Sequence, residues 1–278
     1  AAIYGSRAAN GVVLITTKMG KKGQPTRVSL DTEVGLQTPV LGLEMTNAAE
    51  MAEIYNESFQ EGGLAIPAEL QDPAFVAAND NNWMKLMSRP APYQKYNLQM
   101  TGASDKTQFM LGGSYQRVDG VLITTFNRNA TLRLNLDHQL RDRLKVGTRI
   151  TGGYNYGTDF RNGVLFTTPW RQATLTRPWV PHLDASGNYL PVRRTGAFTG
   201  AANNPVANLE EENRFLTQYS FLANAYAEYE VVKNLKLKYL GGVEYFATKL
   251  YDLDPIFDRG DYNNPAILLT DNRATNLN

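Results

Sequence analysis

The chain has 278 residues and a formal net charge of +1, from 28 Lys+Arg against 27 Asp+Glu, so no global charge draws it toward nucleic acid. It has no cysteine and only two histidines, which excludes a disulfide scaffold, a thiol nucleophile and a cysteine-ligated metal and leaves little for an imidazole site. With 42% hydrophobic and 20% charged residues it is too apolar for a disordered chain.

The chain opens at Ala1 with no initiator methionine or signal peptide, and Thr275-Asn276-Leu277-Asn278 closes it without an obvious terminator. Both ends are expected to be cuts from a longer protein. Residues Ala1 to Lys18 read as a turn or helix end, a break at Asn10-Gly11, and a strand from Val12 to Ile15 that is apolar on both faces. Burial on both sides sets that strand apart from everything downstream and implies a separate small domain over residues 1–24.

Period-two alternation then begins. From Arg27 to Thr38, Val28, Leu30, Val34 and Leu36 oppose Ser29, Asp31, Glu33 and Gln37. A helix interrupts the pattern: Asn47 can cap it with Glu50 in a capping box, Met51, Ile54, Tyr55, Ser58 and Phe59 recur at helical spacing, and Gly62-Gly63 ends it. Strands resume over Tyr93 to Ser104 and Thr107 to Val118, and at Thr131 to Leu140, where Leu132, Leu134 and Leu136 oppose Arg133, Asn135 and Asp137. Leu144 to Tyr156, Phe215 to Val232 and Leu235 to Thr248 follow, with Leu222 and Tyr226 as exceptions on the polar side of theirs.

These are about seven strands of roughly 10–17 residues, long beside the usual mode of about 5–6. Crossing a bilayer takes about 9–11 tilted residues. The connections alternate. Ser104-Asp105-Lys106, Arg141-Asp142-Arg143 and Lys233-Asn234 suit tight turns, whereas residues 39–92, 119–127, 160–214 and 254 onward are longer. Short turns at one end and long loops at the other are the pattern of an outer-membrane barrel. No apolar run is long enough for a transmembrane helix.

The 160–214 segment carries Trp170, Trp179, Tyr189 and Phe198 among several arginines, a composition suited to glycan stacking, peptide binding or ordinary loop packing. Asp252, Asp254, Asp258 and Asp261 lack calcium-loop spacing and read as an acidic loop, with no metal expected. Glu210-Glu211-Glu212 reads as a solvated charge run before a strand. His138 and His182 have no partner spacing for a metal or a triad, and no phosphate-binding loop or nucleophile elbow occurs, so neither an enzyme nor a cofactor is expected.

One run is more specific than the rest. Tyr4-Gly5-Ser6-Arg7, then Ala9-Asn10-Gly11-Val12-Val13-Leu14-Ile15-Thr16-Thr17-Lys18, resembles the end of the plug domain of TonB-dependent outer-membrane transporters, in the wording of the SusC/RagA branch. Thr46 to Tyr55, Asn97 to Thr107, Leu132 to His138 followed by Leu144 to Gly147, and Asn224 to Tyr229 are similar to early barrel segments of that branch. The resemblance implies an all-β fold, part of an antiparallel transmembrane barrel of about 22 strands, of which about 7–8 are here, after the end of an α+β plug. Residues 25–278 are then the first part of the barrel, with long extracellular loops. It further implies glycan or peptide import across the bacterial outer membrane, energised through TonB, with a SusD-like surface lipoprotein as lid and outer-membrane lipid around the barrel. Tyr4, Gly5, Ser6, Arg7, Asn10 and Gly11 are the plug-motif candidates, Arg7 as an ion-pair latch or as a filler of a polar interface; Trp170, Trp179 and Tyr189 are candidates for ligand or lid contact. A passive porin-like barrel and a soluble all-β carbohydrate-binding module are the competing expectations.

Overall fold

The computed structural model describes residues 19–42, 44–159, 168–190, 204–211, 213–254 and 266–277. The plug-motif residues Tyr4, Gly5, Ser6, Arg7, Asn10 and Gly11 lie outside them, as do the Val12–Ile15 strand, Phe198, Asp258 and Asp261.

Eight strands form one sheet in the order β1-β2-β3-β4-β5-β6-β7-β8: β1 Arg27–Gln37, β2 Ala91–Ala103, β3 Thr107–Asp119, β4 Phe126–Arg141, β5 Leu144–Thr158, β6 Asn213–Val232, β7 Leu235–Asp254 and β8 Ala266–Leu277. Every neighbouring pair is antiparallel. Alternation locates the first seven strands, and several run further than it shows, β4 starting five residues before Thr131 and β7 reaching Asp254. The eighth corrects the reading of 254 onward as a long connection: β8 lies within it.

The expected alternation of connections holds. At one end, residues 104–106, 142–143 and 233–234 close tight turns, with register shifts at Gln139/Arg141 and Glu230/Val232. Asn234 sits at φ +69°, the left-handed region that asparagine tolerates. At the other end lie the connections 38–90, 120–125 and 159–212.

The register sorts the side chains by face. Val28, Met100, Leu111, Leu134, Ile150, Ala223, Val243 and Leu277 run across all eight strands in one row. Leu30, Leu98, Gly113, Leu132, Gly152, Phe221 and Tyr245 form the row beside it. Nearer the long connections, Tyr96, Tyr115, Tyr154 and Tyr219 share a third row, with the Tyr154 and Tyr219 rings 5.4 Å apart. No described element covers this face: Leu30 is 63% exposed and Leu132 68%. An uncovered apolar band bordered by tyrosines is what a barrel presents to lipid.

The hydrophobic core lies elsewhere, within the long connections. These hold α1 Ala48–Glu61, a 3-10 turn Ala68–Gln71, α2 Pro73–Ala78, α3 Trp83–Leu86, α4 Pro169–Leu175 and α5 Pro205–Glu211. The first helix was legible, down to its capping box: the Asn47 side chain accepts from the Glu50 N–H, and the Glu50 carboxylate accepts from the Asn47 N–H. The other helical pieces are additions to the sequence reading. So is their core, in which Ala52, Leu70, Val76, Trp83, Met87, Leu122, Trp179, Val206 and Leu209 from three connections pack together.

Candidate functional site

Two regions can act on a solute: the helical unit at the long-loop end and the polar face of the sheet behind it. The unit is held by bonds between its three connections. Asn81 joins the first to the third, its N–H donating to Pro178 O and its Nδ2 to Val180 O, each at 2.9 Å. The Trp83 indole donates to Arg177 O at 3.0 Å. The second connection pairs with the first through Arg89 N–H to Val121 O (2.8 Å) and Ile123 N–H to Met87 O (2.9 Å). Thr124, a β-branched residue at φ +65°, donates from Oγ1 to Leu209 O at 2.6 Å, tying the second connection to α5 across a strained backbone.

Buried amides complete the frame. Asn204, 2% exposed, donates through Nδ2 to His182 O and Leu190 O, while its Oδ1 accepts from the Val206 and Ala207 N–H groups. Asn208 Nδ2 donates to Gln172 Oε1 at 2.6 Å, joining α5 to α4.

The three loop aromatics therefore have three different settings. Trp170, at the start of α4, is exposed and available for stacking. Trp179 is wholly enclosed, its ring edge-on to Tyr55 at 5.2 Å, so it corrects the expectation of a direct contact and serves as the core behind the surface. Tyr189 is half-buried, and its hydroxyl donates to the Glu210 carboxylate. Burial, then Glu210, holds that phenol well above its ordinary range. Glu210, expected in a solvated charge run, is thus a bonding partner. The neighbouring turn is fixed by Asp184, whose carboxyl is held below the usual range, first by the Asn188 N–H.

The inner face of the sheet, opposite the apolar rows, is polar along most of its length. One row reads Glu33, Lys95, Gln116, Asn129, Asn155, Gln218, Thr248 and Asn272. Near the loop end, Arg214 bridges Asp159 (2.9 Å) and Asp252 (2.5 Å), so Asp252 belongs to an ion-pair network and not to a free acidic loop. Toward the tight turns, Asp137 pairs with Arg149 at 2.7 Å and Lys145 at 3.2 Å. The Tyr226 ring lies beneath Lys238 (4.8 Å), Lys145 (5.9 Å) and Arg149 (5.9 Å). Gly147 makes room for it, since a Cβ there would run into the Tyr226 ring and the Asp137 carboxylate. The Tyr226 exception to alternation was the one sequence signal of this cluster. The His138 ring bonds Thr107 Oγ1 at 2.8 Å. Among the described residues no group of three or more His, Cys, Asp or Glu could hold a metal.

Such an arrangement offers hydrogen bonds and paired charges along a wall, a folded cap at one end, and a face for lipid. Comparison with known proteins agrees with it. No protein-family model matches the chain. The TonB-dependent receptor P26 of Formosa agariphila is 32% identical over 231 residues, 82% of this chain. The TonB-dependent receptor SusC of Bacteroides thetaiotaomicron is 25% identical over 262 residues, 88% of this chain. The chain spans only 22% and 25% of those two relatives. In fold it is similar to the RagAB peptide importer in its closed-closed state, with TM-score 0.72 and 20% identity, covering 94% of this chain and 32% of that one.

Proposed function

We infer, for a chain that belongs to the SusC/RagA-like TonB-dependent receptors of the bacterial outer membrane, that the complete protein imports a polar oligomer, a glycan or a peptide, by active transport. The observation that carries this reading is the division of one sheet into an uncovered apolar face and a polar inner face, with a folded unit capping the long-loop end. The inner face, rich in Asn, Gln and Thr, suits a neutral hydrogen-bonding polymer as it passes.

In this reading residues 1–24 end the plug and residues 25–278 begin the barrel. Tyr4, Gly5, Ser6, Arg7, Asn10 and Gly11 belong to the last turn of the plug, with Arg7 serving its polar interface with the barrel. Trp170 and Tyr189 meet the ligand or a SusD-like surface lipoprotein, with Tyr189 packed on the core that holds Trp179. TonB supplies the energy by remodelling the plug. The chain's part is binding, gating and coupling between sites, with no covalent chemistry.

Uptake measured in cells carrying the full-length gene tests this. Labelled oligosaccharide and labelled peptide are offered separately. Uptake of one of them is expected, and it should vanish in a strain lacking TonB. Equal uptake without TonB would mean a passive porin. No membrane uptake of either, with oligosaccharide binding by the purified protein in water, would favour the soluble module.

A further inference from the structure

Two arginines stand side by side on the outer face, and one of them has no charged partner among the described residues. Arg117 of β3 and Arg128 of β4 are register partners, so their side chains leave the same face side by side. That face is the apolar one: two positions further along each strand stand Tyr115 and Ala130, then Gly113 and Leu132. Like charges directly opposite on neighbouring strands destabilise a sheet, and strand spacing puts these within about 5 Å at the backbone. Arg117 is held by a two-pronged bond to Asp119, at 3.1 and 2.9 Å. Arg128 lies 5.0 Å over the Phe126 ring, and among the described residues no carboxylate lies within ion-pair distance of it. Both side chains are exposed. The pair thus carries one uncompensated positive charge.

The position of the pair says what that charge meets. It sits two residues from the loop ends of β3 and β4, just beyond the row of Tyr96, Tyr115, Tyr154 and Tyr219. Tyrosines of a barrel mark the level of the lipid headgroups. A guanidinium at that level, with planar donors and weak hydration, matches a phosphate better than water does. The Phe126 ring lies beneath Arg128 and orients it without neutralising it.

We propose that Arg117 and Arg128 form a binding site on the outer wall for the phosphate of an anionic lipid headgroup in the outer leaflet. This rests on the barrel reading, and the test separates the two. The full-length protein is placed in phosphatidylcholine vesicles containing spin-labelled phosphatidic acid or, separately, spin-labelled phosphatidylcholine. The parent is expected to restrict phosphatidic acid more than phosphatidylcholine. Arg128→Gln should lower that selectivity about five-fold, the scale of one basic residue at an anionic surface, and Arg128→Lys should keep most of it. Excess inorganic phosphate should not compete, because the site takes a headgroup already held at the interface. Equal restriction of the two lipids by the parent, or undiminished selectivity in Arg128→Gln, overturns the site and leaves the barrel standing. Competition by free phosphate overturns the headgroup as its occupant. No restriction of either lipid contradicts the barrel itself.

Discussion

Replacing Trp179 by alanine in the full-length protein is expected to cost the helical unit about 3–5 kcal/mol, the range for removing a large buried aromatic. The indole is 0% exposed and is one of the largest fully buried side chains among the described residues. It packs at the junction of the first and third connections, beside Tyr55 of α1. Loss there should loosen α1 and α4 together, because both helices draw on the same core. The strands should be spared, since they are held by their own ladders and contribute no residue to that core. Hydrogen exchange should show faster amides at 48–61 and 169–175 and unchanged protection in β3 to β6. Equal loosening of strands and helices would mean that the unit and the sheet are one cooperative structure.

The second large effect concerns Leu134. It stands in the apolar row that runs from Val28 to Leu277, mid-strand in β4. Leu134→Arg should destabilise the folded protein in bilayers by about 2–4 kcal/mol if the row lies near the midplane. The neighbour supplies the control. Position 133 already holds an arginine, on the inner face opposite Gly112 and Thr151. The same guanidinium is therefore tolerated one residue away, because successive strand residues face opposite sides. Denaturant titration of the protein refolded into vesicles measures the difference. Stability equal to the parent would place Leu134 in water.

The strands were legible because lipid on one side and polar surroundings on the other write a period of two into the chain. Leu132, Leu134 and Leu136 against Arg133, Asn135 and Asp137 show it without any neighbour's help. β8 was not legible: Ile267-Leu268-Leu269 is an unbroken apolar run and Asp271-Asn272-Arg273 an unbroken polar one, so only its ladder with β7 defines it. α1 announced itself through its cap. α2 to α5, at four to seven residues, are too short for a helical period and exist through the shared core.

Sites were harder to see than strands. Composition brought Trp170, Trp179 and Tyr189 together as aromatics, but only packing distinguishes the exposed Trp170 from the enclosed Trp179. Asn204 and Asn208 gave no local sign of the roles they take, because their partners Leu190, His182 and Gln172 are 14 to 36 residues away. The pairing of Asp137 with Arg149 likewise depends on the β4–β5 register. The Arg117 and Arg128 pair becomes visible only when β3 is laid against β4.

The division of the sheet between lipid and polar interior can be read directly by single-cysteine labelling across 131–135. The chain has no cysteine of its own, and any cysteine elsewhere in the full-length protein is first replaced by serine. Each variant of the full-length protein, reconstituted in vesicles, is offered a water-soluble maleimide and a lipid-soluble quencher. Positions 132 and 134 should be shielded from the maleimide and open to the quencher, and 131, 133 and 135 should not be quenched from lipid. Labelling of 132 and 134 from water as fast as 133, with no quenching from lipid, would contradict the barrel wall.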